Sequence, residues 1–139
     1  LQIGGGTPTF FSPKNLVDFL SYLLDTCELD EDVELGFEGH PNNTSFKHLL
    51  GLAQLGFTRV SYGVQDYPEE VQKVINRIQP FEHVEQAHLN AKETGYTSIS
   101  HDLMFGLPKQ TLAHLNRSIE LTLQLRPDRI SLYSYAHVP

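Results

Sequence analysis

One strand–helix–strand unit stands out in residues 33–65, which read VELGFEGHPNNTSFKHLLGLAQLGFTRVSYGVQ. The apolar segment 33–38 predicts a strand that ends at 39–41, because the glycine and proline there interrupt regular structure. A helix is predicted from about Ser45 to a stop at Gly56. Residues 59–65 are apolar and β-branched enough to form the next strand, inside a sheet. The helix is expected to turn one apolar stripe towards the sheet: Phe46, Leu49, Leu50, Ala53 and Leu55.

The same alternation runs through the rest of the chain. Strands are predicted at 1–3, 97–105 and 129–136, and helices after Ser12-Pro13, between Pro68 and Asn76, after Pro80 and after Thr111. This order, β-α-β-α-β-α-α-β-α-β, predicts an α/β fold with a parallel sheet. Five strands fit either an open doubly wound sheet or an arc of a (β/α) barrel, and propensity does not choose between them. In both architectures the functional groups lie at the C-terminal ends of the strands.

The composition excludes several classes of protein. The chain has 139 residues, with 10 Lys and Arg against 17 Asp and Glu, so its net charge is −7. This acidic balance argues against nucleic-acid binding, and no segment reaches the roughly 18 apolar residues of a membrane span. A single cysteine excludes a self-contained cysteine-ligated zinc or iron–sulfur site. We expect Cys27 to pack as a small apolar residue on the inward stripe of the first helix.

The histidines do not show the spacing of a metal site. All seven lack the HExxH and HxH patterns, so no metal ligand is predicted in this chain. Four of them fall on predicted helices, where we expect them at the surface or half-buried: His48, His83, His88 and His114. His40 and His137 are the two that come near the ends of strands.

Polar residues collect where the predicted strands end: Gly4, Gly5, Gly6, Thr7, Glu38, Gln65, Asp66, Asp102, Tyr135, Ala136 and His137. Any one of them could simply cap a neighbouring helix. However, Glu38 and Asp102 lie inside apolar runs, and a carboxylate buried at that depth must be paired or hydrogen-bonded. Together the residues predict a polar rim that could hold an amino acid, a ribose or a metal.

Two features of this rim allow two interpretations each. The Gly4–Gly6 segment either makes a tight turn or forms a backbone cradle for a small polar ligand, because glycine permits positive φ and close approach. It is neither a GxGxxG fingerprint nor a P-loop. Arg77 is either a solvated charge at a helix end or a bidentate clamp for a carboxylate.

Several motifs, in order and in register, resemble one family. They are Gly4-Gly5-Gly6-Thr7-Pro8-Thr9, Tyr62-Gly63-Val64-Gln65-Asp66, the Val71 to Arg77 segment, Asp102 to Thr111, Arg126-Pro127-Asp128-Arg129, and Tyr135-Ala136-His137-Val138-Pro139. This pattern resembles the radical S-adenosylmethionine family of oxygen-independent coproporphyrinogen III oxidases. The resemblance covers essentially the whole chain.

The resemblance implies an incomplete, TIM-like (β/α)6 barrel, of which this chain supplies strands two to six. Residues 1–139 would then be a fragment of the core barrel that lacks the N-terminal CxxxCxxC segment and a C-terminal domain. The cofactors implied are S-adenosylmethionine and a [4Fe–4S] cluster whose cysteine ligands lie outside this chain. The implied reaction uses a 5′-deoxyadenosyl radical to decarboxylate coproporphyrinogen III oxidatively to protoporphyrinogen IX, in porphyrin and haem synthesis without O2. An electron donor protein, a monomeric full-length enzyme and a cytoplasmic location are implied as well, and the isolated chain is expected to be inactive.

The resemblance also implies roles for single residues, all of them in cofactor binding and none in catalysis or metal ligation. Backbone groups of Gly5, Gly6 and Thr7 would line the methionyl part of S-adenosylmethionine. Glu38 would accept from its ammonium, and Arg77 would pair with its carboxylate. Gln65 and Asp102 would hold the ribose hydroxyls, and Ala136 would let the adenine lie against the last strand.

One position departs from the family pattern. Relatives usually have Asp or Asn before the proline that follows the second-strand glutamate, whereas this chain has His40 before Pro41. The departure leaves the tetrapyrrole substrate open. A haem chaperone on the same barrel is one alternative, and a generic (β/α) metabolic domain with a phosphate site at the glycine turn is another.

Overall fold

The computed structural model describes residues 1–136 and contains one parallel sheet flanked by helices. The strands are β1 (Gln2–Ile3), β2 (Leu35–Gly39), β3 (Phe57–Gln65), β4 (Ser98–Phe105) and β5 (Arg129–Ser134). The helices are α1 (Pro13–Asp25), α2 (Phe46–Gln54), α3 (Glu69–Val74), α4 (Phe81–Glu93) and α5 (Leu112–Leu125). A short 3₁₀ turn, Pro8–Phe10, precedes α1. The predicted order of strands and helices is confirmed.

The order of the strands decides between the two architectures that the sequence left open. The sheet runs β1-β2-β3-β4-β5, and every neighbouring pair is parallel. Each crossover therefore places the next strand on the same side of the last one, whereas a doubly wound sheet reverses direction at a switch point. The fold is an arc of a (β/α) barrel, which does not close within residues 1–136.

The two faces of the sheet differ in chemistry, because successive side chains of a strand point to opposite faces. The helix-covered face carries the core, with Phe37, Tyr62, Ile99 and Leu103 all at 0% exposure. The opposite face is polar and open, and it lines a groove of about 450 Å³. Its residues include Gln2, Glu38, Arg59, Ser61, Ser98, Ser100, Asp102, Arg129, Ser131 and Tyr133.

The predicted helix starts are confirmed by hydrogen bonds. The Ser12 hydroxyl accepts from the backbone N–H of Asn15 at 3.2 Å at the start of α1. Ser45 and Thr111 each form a reciprocal cap with the histidine three residues further on. None of the helices within residues 1–136 is long and apolar enough to cross a membrane.

Some predicted packing is wrong. Helix α1 ends at Asp25, so Cys27 lies beyond it and is exposed instead of packing inward. In α2, Leu49 and Leu52 form the fully buried stripe, while Phe46 and Leu50 lie on its flank, 37% and 42% exposed. The apolar stripe was predicted too broad because one sheet face can bury only a narrow arc of a helix that packs on it.

Two of the four helical histidines are buried, contrary to the prediction. His48 is 5% exposed, and its Nε2 lies 2.8 Å from the Phe11 carbonyl oxygen. His88 of α4 meets His101 of β4, with 3.2 Å between Nδ1 of His88 and Nε2 of His101. The second nitrogen of each ring is buried without a hydrogen-bond partner in the described part of the chain. Burial lowers the pKa of His88 to about 4 and that of His101 to about 3, so both rings are neutral at pH 7.

Candidate functional site

A cleft of about 270 Å³ opens at the C-terminal ends of β2, β3 and β4. Six of the eight predicted cofactor-binding residues line it: Gly6, Thr7, Glu38, Gln65, Arg77 and Asp102. Gly5 contacts the cleft residue Glu38 directly. Ala136 is exposed beyond the end of β5 and is not among the lining residues, so its role against adenine stays a prediction. His137 lies outside the described residues.

The glycine turn after β1 carries the Glu38 carboxylate. The backbone N–H of Gly5 donates to Glu38 Oε2 at 3.2 Å. Gly5 and Gly6 have φ of +82° and +127°, values that residues with a side chain rarely adopt. Gly4 leaves space for the carboxylate, because a Cβ there would lie 2.5 Å from Glu38 Cδ and would push it aside. The turn is therefore built around this carboxylate.

Glu38 was expected at depth and is exposed instead. Its neighbours in β2, Phe37 and Gly39, are buried, and strand alternation turns Glu38 to the open polar face. Asp102 is half-buried on the same face and accepts from the Ser61 hydroxyl, with 2.8 Å between Ser61 Oγ and Asp102 Oδ2. The prediction that Asp102 is hydrogen-bonded is therefore confirmed.

Arg77 folds over the end of β3. Its Nη2 donates to the Gly63 carbonyl oxygen at 2.6 Å, and its Nε is buried without a partner among residues 1–136. Burial also lowers the pKa of its guanidinium. A Cβ at Gly63 would lie 3.0 Å from Arg77 Nη2 and 2.9 Å from Gln65 Nε2. These contacts exclude the interpretation of Arg77 as a solvated charge at a helix end and place it at the cleft, while its role as a carboxylate clamp stays a prediction.

A buried pair of glutamines holds the segment that carries Arg77. Gln72 Nε2 donates to the Gln79 carbonyl oxygen at 2.7 Å, and the Gln79 backbone N–H donates to Gln72 Oε1 at 2.8 Å. Gln79 Nε2 also donates to the Val64 carbonyl oxygen at 3.2 Å. Sequence reasoning missed this pair because nothing in a helix pattern shows that two polar side chains will be buried together.

Asp66 was placed on the rim by the sequence, but it is 0% exposed and structural. Its Oδ1 accepts from the Ser118 hydroxyl and from the Tyr67 backbone N–H, and its Oδ2 accepts from Gln110 Nε2 at 2.8 Å. Gln110 Oε1 in turn accepts from the Gly106 backbone N–H at 2.7 Å. Asp66 therefore neither faces the cleft nor caps a helix, the two roles that the sequence allowed; it tethers the end of β3 to α5 and to Gln110.

Further cleft residues were not predicted. Ser61, Gly63, Met104 and Tyr133 line the cleft together with the predicted set. The signal that could have found Ser61 and Gly63 is the period of two along β3, which places them on the face of Gln65. At Gln65 the backbone has φ of +68°, and the register with β4 shifts between Gly63 and Gln65.

The charged groups of the cleft suit an organic ligand better than a metal ion. A carboxylate on each of two strands and one guanidinium line it, together with the glycine turn. Within residues 1–136, no three His, Cys, Asp or Glu side chains are placed to hold a metal ion. The prediction that this chain carries no metal ligands therefore stays a prediction about the full sequence.

Comparison with known proteins gives the family of the chain. Residues 1–122 match the radical SAM superfamily. The oxygen-independent coproporphyrinogen III oxidase of Helicobacter pylori J99 is 43% identical over 137 residues, which cover 98% of this chain and 30% of that protein. The enzyme of the same name from Pseudomonas aeruginosa is 42% identical over 141 residues, covering 100% of this chain and 31% of that protein. The chain thus spans about 30% of the length of these curated relatives.

Solved structures agree with this assignment. The structure of coproporphyrinogen III oxidase from Escherichia coli superposes with a TM-score of 0.92 at 36% identity, covering 99% of this chain and 32% of that one. The archaeal Elp3 of Methanocaldococcus infernus superposes with a TM-score of 0.78 over 96% of this chain and 37% of that one, and at 23% identity it shows the fold alone. The barrel arc, the cleft at its C-terminal edge and the family match over 122 of 139 residues lead to one conclusion: the chain belongs to the radical SAM superfamily.

Proposed function

We propose that this chain is the S-adenosylmethionine-binding part of an oxygen-independent coproporphyrinogen III oxidase. The observation that carries the proposal is the convergence of Gly6, Thr7, Glu38, Gln65, Arg77 and Asp102 in one cleft. Sequence identity of 43% and 42% to two proteins of that name supports the choice of reaction. When bound with the [4Fe–4S] cluster, S-adenosylmethionine supplies the hydrogen abstraction that oxidative decarboxylation of a propionate side chain requires.

The residues of the cleft suit a zwitterionic amino acid joined to a ribose. The Glu38 carboxylate, held by the Gly5 N–H, would accept from an ammonium group. Arg77, held against the Gly63 carbonyl, would donate to a carboxylate. Its Nε is buried without a hydrogen-bond partner among residues 1–136, which supports a ligand that supplies the acceptor. Gln65 and Asp102 would bind ribose hydroxyls, for which carboxylates and amides are common partners.

Other parts of the proposal concern the longer protein. The cluster ligands would lie outside this chain, since Cys27 is its one cysteine and is exposed. Residues 1–139 would form the core barrel fragment, completed by flanking segments that include the CxxxCxxC loop and a C-terminal domain. The substrate would be a porphyrinogen and the reductant an electron donor protein, in a cytoplasmic, monomeric enzyme of porphyrin and haem synthesis.

The test uses full-length protein, reconstituted with its cluster without oxygen. We expect reductive formation of 5′-deoxyadenosine and consumption of coproporphyrinogen III. Glu38→Gln and Arg77→Lys should each weaken S-adenosylmethionine binding by about tenfold or more, because a hydrogen bond to a charged group contributes roughly 1.5–3 kcal/mol. Glu34→Gln is the matched control, since Glu34 pairs with Arg59 at the opposite end of β2.

Each failure has a separate meaning. Formation of 5′-deoxyadenosine with coproporphyrinogen III untouched would refute the substrate and keep the radical chemistry. Stoichiometric haem binding without any decarboxylated product would favour the chaperone instead. The 139-residue chain alone should show no turnover, and measured turnover would contradict the proposal that the cluster segment is required.

A further inference from the structure

His40 is the cleft residue that departs from the family pattern, and its ring is fixed in one orientation. The imidazole Nδ1 accepts from the backbone N–H of Asn42 at 3.2 Å. An accepting Nδ1 leaves the proton of the neutral ring on Nε2. His40 lines the cleft, and its Nε2 has no hydrogen-bond partner among residues 1–136. The ring therefore offers one N–H donor to a ligand in the cleft.

Asn42 holds His40 and the segment next to Arg77 together. Besides its backbone contact to His40, Asn42 donates from Nδ2 to the Ile78 carbonyl oxygen at 2.9 Å. Its Oδ1 lies 2.8 Å from Nδ1 of His83 at the start of α4. Ile78 directly follows Arg77, so one asparagine fixes the loop after β2 relative to the residues after α3. The same asparagine therefore positions both donors, His40 and Arg77.

The charges in the cleft leave room for a second donor. Glu38 and Asp102 are the carboxylates that line it, and Arg77 is its cation. A ligand carboxylate there lies near two negative side chains and one positive one, so a second donor beside Arg77 would favour its binding. Burial and the nearby Arg77 charge lower the pKa of His40, which makes it a neutral donor at pH 7.

We propose that His40 and Arg77 form a two-donor carboxylate subsite in the cleft, with His40 donating from Nε2 and Asn42 holding both residues in place. This inference rests on the proposed function. The carboxylate has two possible sources, the aminoacyl end of S-adenosylmethionine or a propionate of the substrate, and the test separates them.

The experiment measures ligand binding to the reconstituted full-length protein by calorimetry. S-Adenosylhomocysteine carries the aminoacyl carboxylate, and 5′-methylthioadenosine lacks it. His40→Ala should weaken S-adenosylhomocysteine about tenfold, because a donor to a charged group is lost, and leave 5′-methylthioadenosine within twofold. His40→Gln, which keeps an N–H donor, should recover much of the affinity. His114→Gln is a matched histidine control at the start of α5.

A second arm titrates sodium propionate while the ¹⁵N resonance of the His40 ring is followed by NMR. A saturable shift of that resonance, with S-adenosylhomocysteine affinity unchanged in His40→Ala, assigns the subsite to a substrate carboxylate. If wild-type protein binds neither nucleoside, the proposed function fails, and the propionate arm alone decides the subsite. Equal losses for both nucleosides, or no loss and no propionate shift, would overturn the inference.

Discussion

The buried His88–His101 pair makes a sharp prediction about stability against pH. In the unfolded chain each histidine has a pKa of about 6.5, whereas burial lowers the folded values to about 4 and about 3. The repulsion between the rings and the charge of Lys92 add to this lowering for His101. Below pH 6.5 the unfolded chain therefore binds more protons than the folded one, and stability falls as the pH falls.

The magnitude follows from the distance between pH 5 and the unfolded pKa. One pKa unit corresponds to 1.36 kcal/mol, so each histidine costs about 2 kcal/mol at pH 5 relative to pH 8, and the pair about 4 kcal/mol. The result depends little on the folded values, because both lie at or below about 4. The stabilisation is fully present above pH 6.5 and is lost progressively as the pH falls towards the folded pKa values.

The assay is urea unfolding followed by circular dichroism at several pH values between 5 and 8. In the wild type, the free energy of unfolding should be about 4 kcal/mol lower at pH 5 than at pH 8 because of this pair. The double variant His88→Leu/His101→Leu should lack this difference, and His101→Leu alone should lack about half of it. Ile99→Val is the matched control on the same strand: it should cost roughly 1 kcal/mol at every pH, giving a parallel curve. If the double variant also runs parallel to the wild type, the buried neutral pair is refuted.

Three further predictions concern space, tethering and the core. Gly63→Ala should change the free energy of unfolding little but weaken S-adenosylhomocysteine binding about tenfold, because its Cβ displaces the ends of Arg77 and Gln65. Calorimetry measures this affinity, and an unchanged value would refute the role of this contact. Asp66→Ala should lower the free energy of unfolding by about 3 kcal/mol in urea titrations, since its buried donors lose their acceptor, and a loss below 1 kcal/mol would contradict the tether. Leu20→Ala should cost about 2–5 kcal/mol at its fully buried site, again by urea unfolding.

Local signals in the sequence were enough to predict the helices and strands and their order. Ser12, Ser45 and Thr111 marked helix starts that the structure confirms, because a cap is decided by residues within one turn. Propensity could not choose between a barrel arc and a doubly wound sheet, since strand order depends on how the crossovers pack; the family resemblance predicted the barrel, and the strand order confirms it. Cys27 was misplaced for a smaller reason, a helix that ended two residues before it.

The positions of the cleft residues were predicted better than their surroundings, whereas their roles in cofactor binding stay a prediction. The cleft residues fall at strand ends, which a parallel sheet brings to one edge, and the resemblance gave them roles. The sequence did not show that Glu38 would face the open side of the sheet or that Asp66 would be buried. Both depend on which face the helices cover, and that is a property of the packed fold. The Gln72–Gln79 pair was missed for the same reason.

The contact between Gly4 and Glu38 has a consequence for how this sequence can change over time. The space beside Gly4 is filled by the Glu38 carboxylate, the far end of an exposed and flexible side chain, so alanine at position 4 would push that carboxylate out of the turn at little cost to the fold. Glycine is favoured at positions 5 and 6 by their positive φ angles, whatever residue stands at position 38. Among diverging descendants, a change at position 4 should therefore mark lineages in which the Glu38 carboxylate is no longer used.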